Sequence, residues 1–275
     1  MRWLMILMAA CSLFAQKNEG PDPEDNTGFF RGPGPDPFGY TYDDTVPFSF
    51  IDISTTGTPV VLGDDTVSGA LVMSQNFPFY GTSYGIVEMS SNGFLNFTVG
   101  QSSDLSNSCP LPDGTNSGAQ IFGLHDDLDM GNNAGQSGYI EYFSTCPRAA
   151  SQANGGSLGC TVIMWDNCEH FSTSTAWDWE IILFHNSGEI VVQVDAGNPE
   201  TGSGSTTGIQ NPGGTISLTY ACNLAGSIPD GTAVSFIDTN YVGIDVPALS
   251  TKSLVIMIGA LMSLGLLVAI RRRTA

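Results

Sequence analysis

The sequence predicts an all-β body, an antiparallel β-sandwich or jelly roll, followed by a single C-terminal transmembrane helix. Three observations predict it. Short apolar runs separated by Gly, Asn, Asp and Ser recur from residue 40 to residue 238. No stretch in that interval sustains the 3.6-residue apolar period of a helix. Near the end, Leu254 to Ile270 is a run without a charge, stopped at once by Arg271, Arg272 and Arg273.

Taken in order, residues 1–15 read as a signal peptide. Arg2 supplies the positive start and Trp3 to Ala10 an apolar stretch too short to span a bilayer. Two processing sites compete: cleavage after Ala15, or a lipobox ending at Cys11. Residues 16–39, rich in Pro, Gly and Asp, read as a disordered spacer with too little to bury. The body is expected over 40–240. Its strand candidates are 47–54, 86–90, 94–97, 139–143, 161–165, 177–184, 189–194, 216–220 and 233–237. Asn92-Gly93 between apolar runs signals a hairpin, since both residues tolerate positive φ. His185-Asn186-Ser187-Gly188 reads as a second turn. Thirty-three glycines and fifteen prolines suit two packed antiparallel sheets with many turns.

Residues 241–275 hold the anchor. The arginines after the helix are expected to stay cytoplasmic, which puts the body outside the cell. Just ahead of the helix, Val246-Pro247-Ala248-Leu249-Ser250 with the helix and the Arg cluster resembles the IPTL-CTERM type of bacterial sorting signal, a relative of PEP-CTERM. Val246 and Ala248 depart from its Ile-Pro-Thr-Leu-Ser, and Thr251-Lys252 stand where that family has Glu-Trp. The resemblance implies a partner, a membrane-embedded sorting protease of the exosortase-like kind, and an address at the cell envelope.

Charge narrows the partners. From Gly32 to Asp245 the only basic residue is Arg148, against twenty-three Asp and Glu. Nucleic acid is excluded as a partner, because binding it needs Lys or Arg to neutralise phosphates. An envelope or matrix polymer remains compatible.

The body also resembles a domain of nidogen-like and plexin-domain-like extracellular proteins. The resemblance is carried by Asn76-Phe77-Pro78-Phe79-Tyr80-Gly81, Ser90-Ser91-Asn92-Gly93-Phe94-Leu95-Asn96-Phe97, Leu124-His125-Asp126-Asp127-Leu128 and Cys160-Thr161-Val162-Ile163-Met164-Trp165. Trp179 to Phe184, Gly188 to Val191 and Thr207-Gly208-Ile209-Gln210-Asn211 follow in the same order. It implies a non-catalytic module of a surface or matrix protein. Beyond Cys11 there are five cysteines, so one is left free or paired between chains. Cys146–Cys160 is the favoured disulfide: it closes a Gly- and Ser-rich loop between predicted strands, and its spacing resembles that of related bacterial sequences. Cys109–Cys222 is the second pairing, leaving Cys168 free.

Chemistry-bearing clusters are few. Asp126, Asp127 and Asp129 are oxygen ligands of the kind calcium takes, without the EF-hand pattern; the alternative is a strand-end turn. Calcium is thus the one cofactor the pattern suits; zinc is disfavoured, because Cys168 with His170 lacks the paired short spacing, such as Cys-x-x-Cys, of a zinc site. No Gly-x-Ser-x-Gly elbow occurs, and His125, His170 and His185 read as surface or turn residues. No catalytic residue is assigned. Trp177 and Trp179 share a strand face at period two: exposed they would stack on sugars, buried they are core. Asn96-Phe97-Thr98 fits a glycosylation sequon, incidental beside a bacterial sorting signal. Two functions compete: a non-enzymatic structural or adhesive envelope module, and a carbohydrate-binding or glycoside-hydrolysing sandwich.

Overall fold

The structure, a computed structural model, describes residues 31–241 apart from 33, 116–117, 133–134, 152–157 and 172. The leader, the sorting motif Val246 to Ser250, the apolar run and Arg271 to Arg273 lie outside the described residues. Among those described there is no helix long and apolar enough to cross a membrane.

Fourteen strands form two antiparallel sheets. They are β1 (Tyr40–Asp43), β2 (Thr58–Val60), β3 (Leu71–Phe79), β4 (Thr82–Met89), β5 (Phe94–Asn96), β6 (Gln120–His125), β7 (Leu128–Asp129) and β8 (Ser137–Phe143). The set continues with β9 (Cys160–His170), β10 (Ala176–Phe184), β11 (Ile190–Val194), β12 (Thr206–Gln210), β13 (Ser217–Cys222) and β14 (Thr232–Asp238). One sheet runs β1-β14-β11-β10-β9-β8-β2, with β7 paired to the end of β9; the other runs β13-β12-β6-β5-β4-β3.

Side-chain alternation at period two divides each central strand between two environments. Ile163 and Trp165 of β9, Trp179, Ile181 and Leu183 of β10, and Ile190 and Val192 of β11 face the other sheet. There they pack with Val87, Met89, Leu95, Ile121, Ile209 and Leu218. The two sheets therefore form a sandwich. The outer faces are covered as well. Val162, Met164, Ile182, Phe184 and Val191 pack beneath Ile51 and Ile53. On the other sheet Phe94 and Phe122 lie beneath Leu111.

Residues 47–54, expected as a strand, are instead an extended strap. Its backbone bonds to side chains rather than to a ladder: Ser49 N–H donates to Gln193 Oε1 (2.7 Å), Gln193 Nε2 donates to Ser49 O (2.9 Å), and Ile51 N–H donates to Glu180 Oε1 (3.0 Å). Pro47 cannot donate to a ladder, and polar side chains satisfy the buried backbone in its place. A second strap, over residues 107–113, lies on the opposite sheet. Leu111 N–H donates to Thr219 Oγ1 (3.0 Å) and Asp113 N–H donates to Gln210 Oε1 (2.7 Å).

Both expected disulfides are formed. Cys109–Cys222 pins the second strap, and Cys146–Cys160 closes the β8–β9 connection; their Cα atoms stand 5.6 and 5.3 Å apart. Cys168 is free and buried, so it is not available to a second chain.

The described residues at the end of the expected spacer are tied to the body. Asp36 Oδ1 accepts from the N–H groups of Phe38, Gly39 and Tyr40, while Tyr80 O–H donates to Oδ2 (2.7 Å). Arg31 pairs with Asp44 and donates to Tyr220 O–H. These contacts hold the residues before β1 against the sheet. Tyr40 pairs with Asp238, so both ends of the body leave from one edge.

Candidate functional site

The Ser90–Phe94 motif organises one pole of the sandwich. Ser90 N–H donates to Phe94 O (2.9 Å), which closes a three-residue loop; only Gly93 has positive φ (82°), and Asn92 does not. This is the longer hairpin form with a left-handed third residue, not the two-residue turn that Asn-Gly signals. Position 93 has no room for a side chain: a Cβ there would stand 2.0 Å from Leu124 O. Asn92 then becomes a bridge, accepting from Leu128 N–H (2.9 Å) and donating to Asp65 (2.9 Å). Trp165 Nε1–H reaches across from the other sheet to Ser90 O (2.9 Å).

These bonds fix the acidic β6–β7 turn, and its aspartates part company. Asp127 joins Asp64 and Asp65, with carboxylate oxygens within 4.8 Å of one another. Asp129 Oδ1 accepts from Gly131 N–H (2.7 Å), while its backbone pairs with Glu169. Asp126 turns the other way, to His170 and Glu200. The run Asp126, Asp127 and Asp129 is therefore not brought together as one ligand set. Asp127 with Asp64 and Asp65 offers oxygen donors alone, the type that calcium takes.

The Asp126 group draws on three segments. Pairing of β7 with β9 sets His170 opposite Leu128. Glu200 comes from the β11–β12 connection, which Asn198 shapes by accepting from the N–H groups of Glu200 and Thr201 and donating to Ile228 O (3.0 Å). His170 Nε2 lies 3.1 Å from Glu200 Oε1 and 3.7 Å from Asp126 Oδ1. The side chains of His170, Asp126 and Glu200 are 26%, 13% and 24% exposed. Burial opposes a charged imidazole, but the Asp126 hydrogen bond and the charges of Asp126 and Glu200 outweigh it and raise His170 to about 9. Burial first, then the neighbouring Asp126 carboxylate, pushes Glu200 up to about 8 against the pull of His170. A cavity of about 10 Å³, lined among others by Trp177, Asn198 and Ser205, adjoins Asp126 and Glu200.

A family model described as NIDO related matches residues 39–241. The chain belongs to the NIDO-related family. No curated protein sequence and no solved structure matches it. Its family and its two disulfides mark the NIDO-related body as an extracellular β domain.

Within this NIDO-related domain two of the three histidines are buried: His125 ends a strand and is neither the surface nor the turn residue expected, while His185 lies in its expected turn. His125 lies buried against the Phe94 and Phe122 rings, its Nε2 donating to Asp104 O (3.1 Å). His185 is buried between Thr161 Oγ1 (2.8 Å) and Asn76 O (3.1 Å), and burial lowers its pKa. Asn96 of the sequon is buried too, accepting from Gln120 Nε2 (2.6 Å). Glu200 carries no local sequence signal, and His170 has none beyond its nearness to Cys168. Their meeting with Asp126 depends on the β7–β9 register and the fold of a loop.

Proposed function

We propose that this chain is an exported envelope protein whose NIDO-related body is a non-enzymatic structural or adhesive binding module, sorted through its C-terminal signal. The observation that carries the first part is the location of the tryptophans. Trp165 and Trp179 are stacked at 3.8 Å and fully buried, and Trp177 is buried beside them in the same inter-sheet core. The aromatic strip that a sugar-stacking surface needs is thus absent from that strand face. Among the described residues the large apolar side chains left exposed are Phe48, Val61, Val72 and Val99, one ring and three aliphatic groups. An acidic exterior with capped outer faces suits a self-repelling, persistent surface module.

Intact-mass analysis of the protein recovered from its native envelope tests the sorting part. The expected mass lacks the leader and everything after about Ser250. A mass retaining residues 251–275 overturns it in favour of a stable membrane anchor. Affinity electrophoresis in polysaccharide gels tests the other part: unchanged mobility is expected, and specific retardation by one glycan would favour the carbohydrate-binding alternative.

A further inference from the structure

We propose that Asp126, His170 and Glu200 form a site for one transition-metal dication of the zinc class, which staples the β11–β12 connection to the β6–β7 turn and the end of β9. The argument begins with the tautomer of His170. Its Nδ1 lies 2.9 Å from Phe171 O, a carbonyl that only accepts, so Nδ1 carries a proton. The ring is thereby oriented by a backbone carbonyl, the arrangement that commonly positions a metal-ligating histidine. Nε2 is the nitrogen left, and it faces the two carboxylates.

Two buried polar atoms beside this group, one acceptor and one donor, lack hydrogen-bond partners. Asp126 Oδ1 accepts from Asp127 N–H (2.9 Å), but Oδ2 is buried with no hydrogen-bond partner. Both carboxylates back onto Gly204: a Cβ there would stand 3.0 Å from Asp126 Oδ2 and 3.0 Å from Glu200 Oε2. Trp177, 4% exposed, lines the adjoining cavity and its indole N–H is also unpartnered. A metal ion would displace the Nε2 proton, and the neutral imidazole with two carboxylates then carries two negative charges, which one dication neutralises. Tetrahedral ligation with bonds of about 2.1 Å puts ligand atoms roughly 3.4 Å apart, and the N–O separations of 3.1 and 3.7 Å bracket that spacing. The nitrogen donor selects a borderline metal over calcium or magnesium, which favour oxygen alone. Three protein ligands leave the fourth position of a tetrahedral site to water.

The test uses the full chain in detergent, stripped with EDTA, dialysed, and titrated with Co²⁺ and then Zn²⁺. One equivalent of Co²⁺ is expected to produce the strong visible absorption of four-coordinate cobalt. Stoichiometric Zn²⁺ should displace it, and excess Ca²⁺ should not. His170→Gln and the isosteric Glu200→Gln should each weaken Zn²⁺ binding by about 100-fold or more. Asp65→Asn, in the neighbouring acidic group, should leave it unchanged. Near-UV circular dichroism establishes that each variant is folded. Absence of saturable cobalt absorption in the parent protein, displacement by Ca²⁺, or equal Zn²⁺ affinity in folded Glu200→Gln would overturn the proposal.

Discussion

Gly123 of β6 lies beneath the indole of Trp179 of β10, so close that a Cβ at position 123 would stand 2.3 Å from Trp179 Cζ3 and 3.2 Å from Ile181 Cδ1. The contact joins the two sheets. Trp179 is in turn stacked on Trp165, whose indole N–H is held by Ser90 O. Gly123→Ala is therefore expected to force the stack out of place. The cost should be about 1–3 kcal/mol, the range of an overpacked core. Urea unfolding of the oxidised protein measures it, and an unchanged midpoint would mean that the indole moves aside freely.

Asn92→Ala removes the acceptor of Leu128 N–H inside the pole. Leaving a buried N–H without a partner should destabilise the domain by about 1–3 kcal/mol. Hydrogen exchange supplies a local reading: the Leu128 amide should lose protection more than amides of β10.

The disulfides should differ in worth. Cys109–Cys222 spans a sequence separation of 113 and Cys146–Cys160 one of 14. Loop-closure entropy assigns them about 4.8 and 3 kcal/mol. Paired Cys→Ala variants should therefore rank in that order in urea midpoint. The reverse ranking would show that strain or strap packing, and not chain entropy, governs them.

Glu180 lies on the outer face of β10 under the 47–54 strap, with Gln193 donating to it (2.7 Å). Burial first raises its carboxyl, from an ordinary 4.5 to about 8, against the pull of its hydrogen bonds and Arg148. The folded state then holds a proton that the unfolded state releases near pH 4.5, so stability falls as pH rises from about 4.5 to about 8. Glu180→Gln keeps an acceptor and removes the titration. The parent protein should lose on the order of 5 °C more in Tm than this variant between pH 5 and pH 8. Equal losses would mean that Glu180 is not protonated in the fold.

Cys168 is sealed in the core opposite Trp177, and burial pushes its thiol far up. Iodoacetamide at pH 8 should leave it unmodified in the native protein and alkylate it after unfolding without reductant. Peptide mapping reads the site directly, and native labelling would imply local opening of the β9–β10 edge.

Much of the architecture was legible in the chain. The runs at 86–90, 94–97, 139–143, 161–165, 177–184, 189–194, 216–220 and 233–237 correspond to β4, β5, β8, β9, β10, β11, β13 and β14. β-Branched and aromatic runs cut by turn residues can bury their apolar groups most simply as strands, so local composition determined the all-β class and the turn at His185–Gly188. The Gly- and Ser-rich loop between predicted strands, with a spacing like that of related sequences, pointed to Cys146–Cys160, whereas nothing local singled out Cys109–Cys222. β6 and β12 were harder, because both strand faces are buried and Gln120, Gly123, Gly208 and Gln210 interrupt any clean alternation.

Tertiary structure alone decided the rest. Whether 47–54 pairs as a strand or lies as a strap depends on Gln193 and Glu180, more than a hundred residues away. Whether the tryptophans meet water or each other depends on which face of β10 meets the second sheet. The acidic run Asp126-Asp127 looks continuous, yet its two side chains join different groups, because successive side chains at a turn diverge and each finds partners from other segments. His170 and Glu200 stand 44 and 74 residues beyond Asp126 in the sequence. Only the β7–β9 register and the Asn198 turn bring their polar atoms within reach, since hydrogen-bond and ligand geometry act over a few ångströms of space and are blind to distance along the chain.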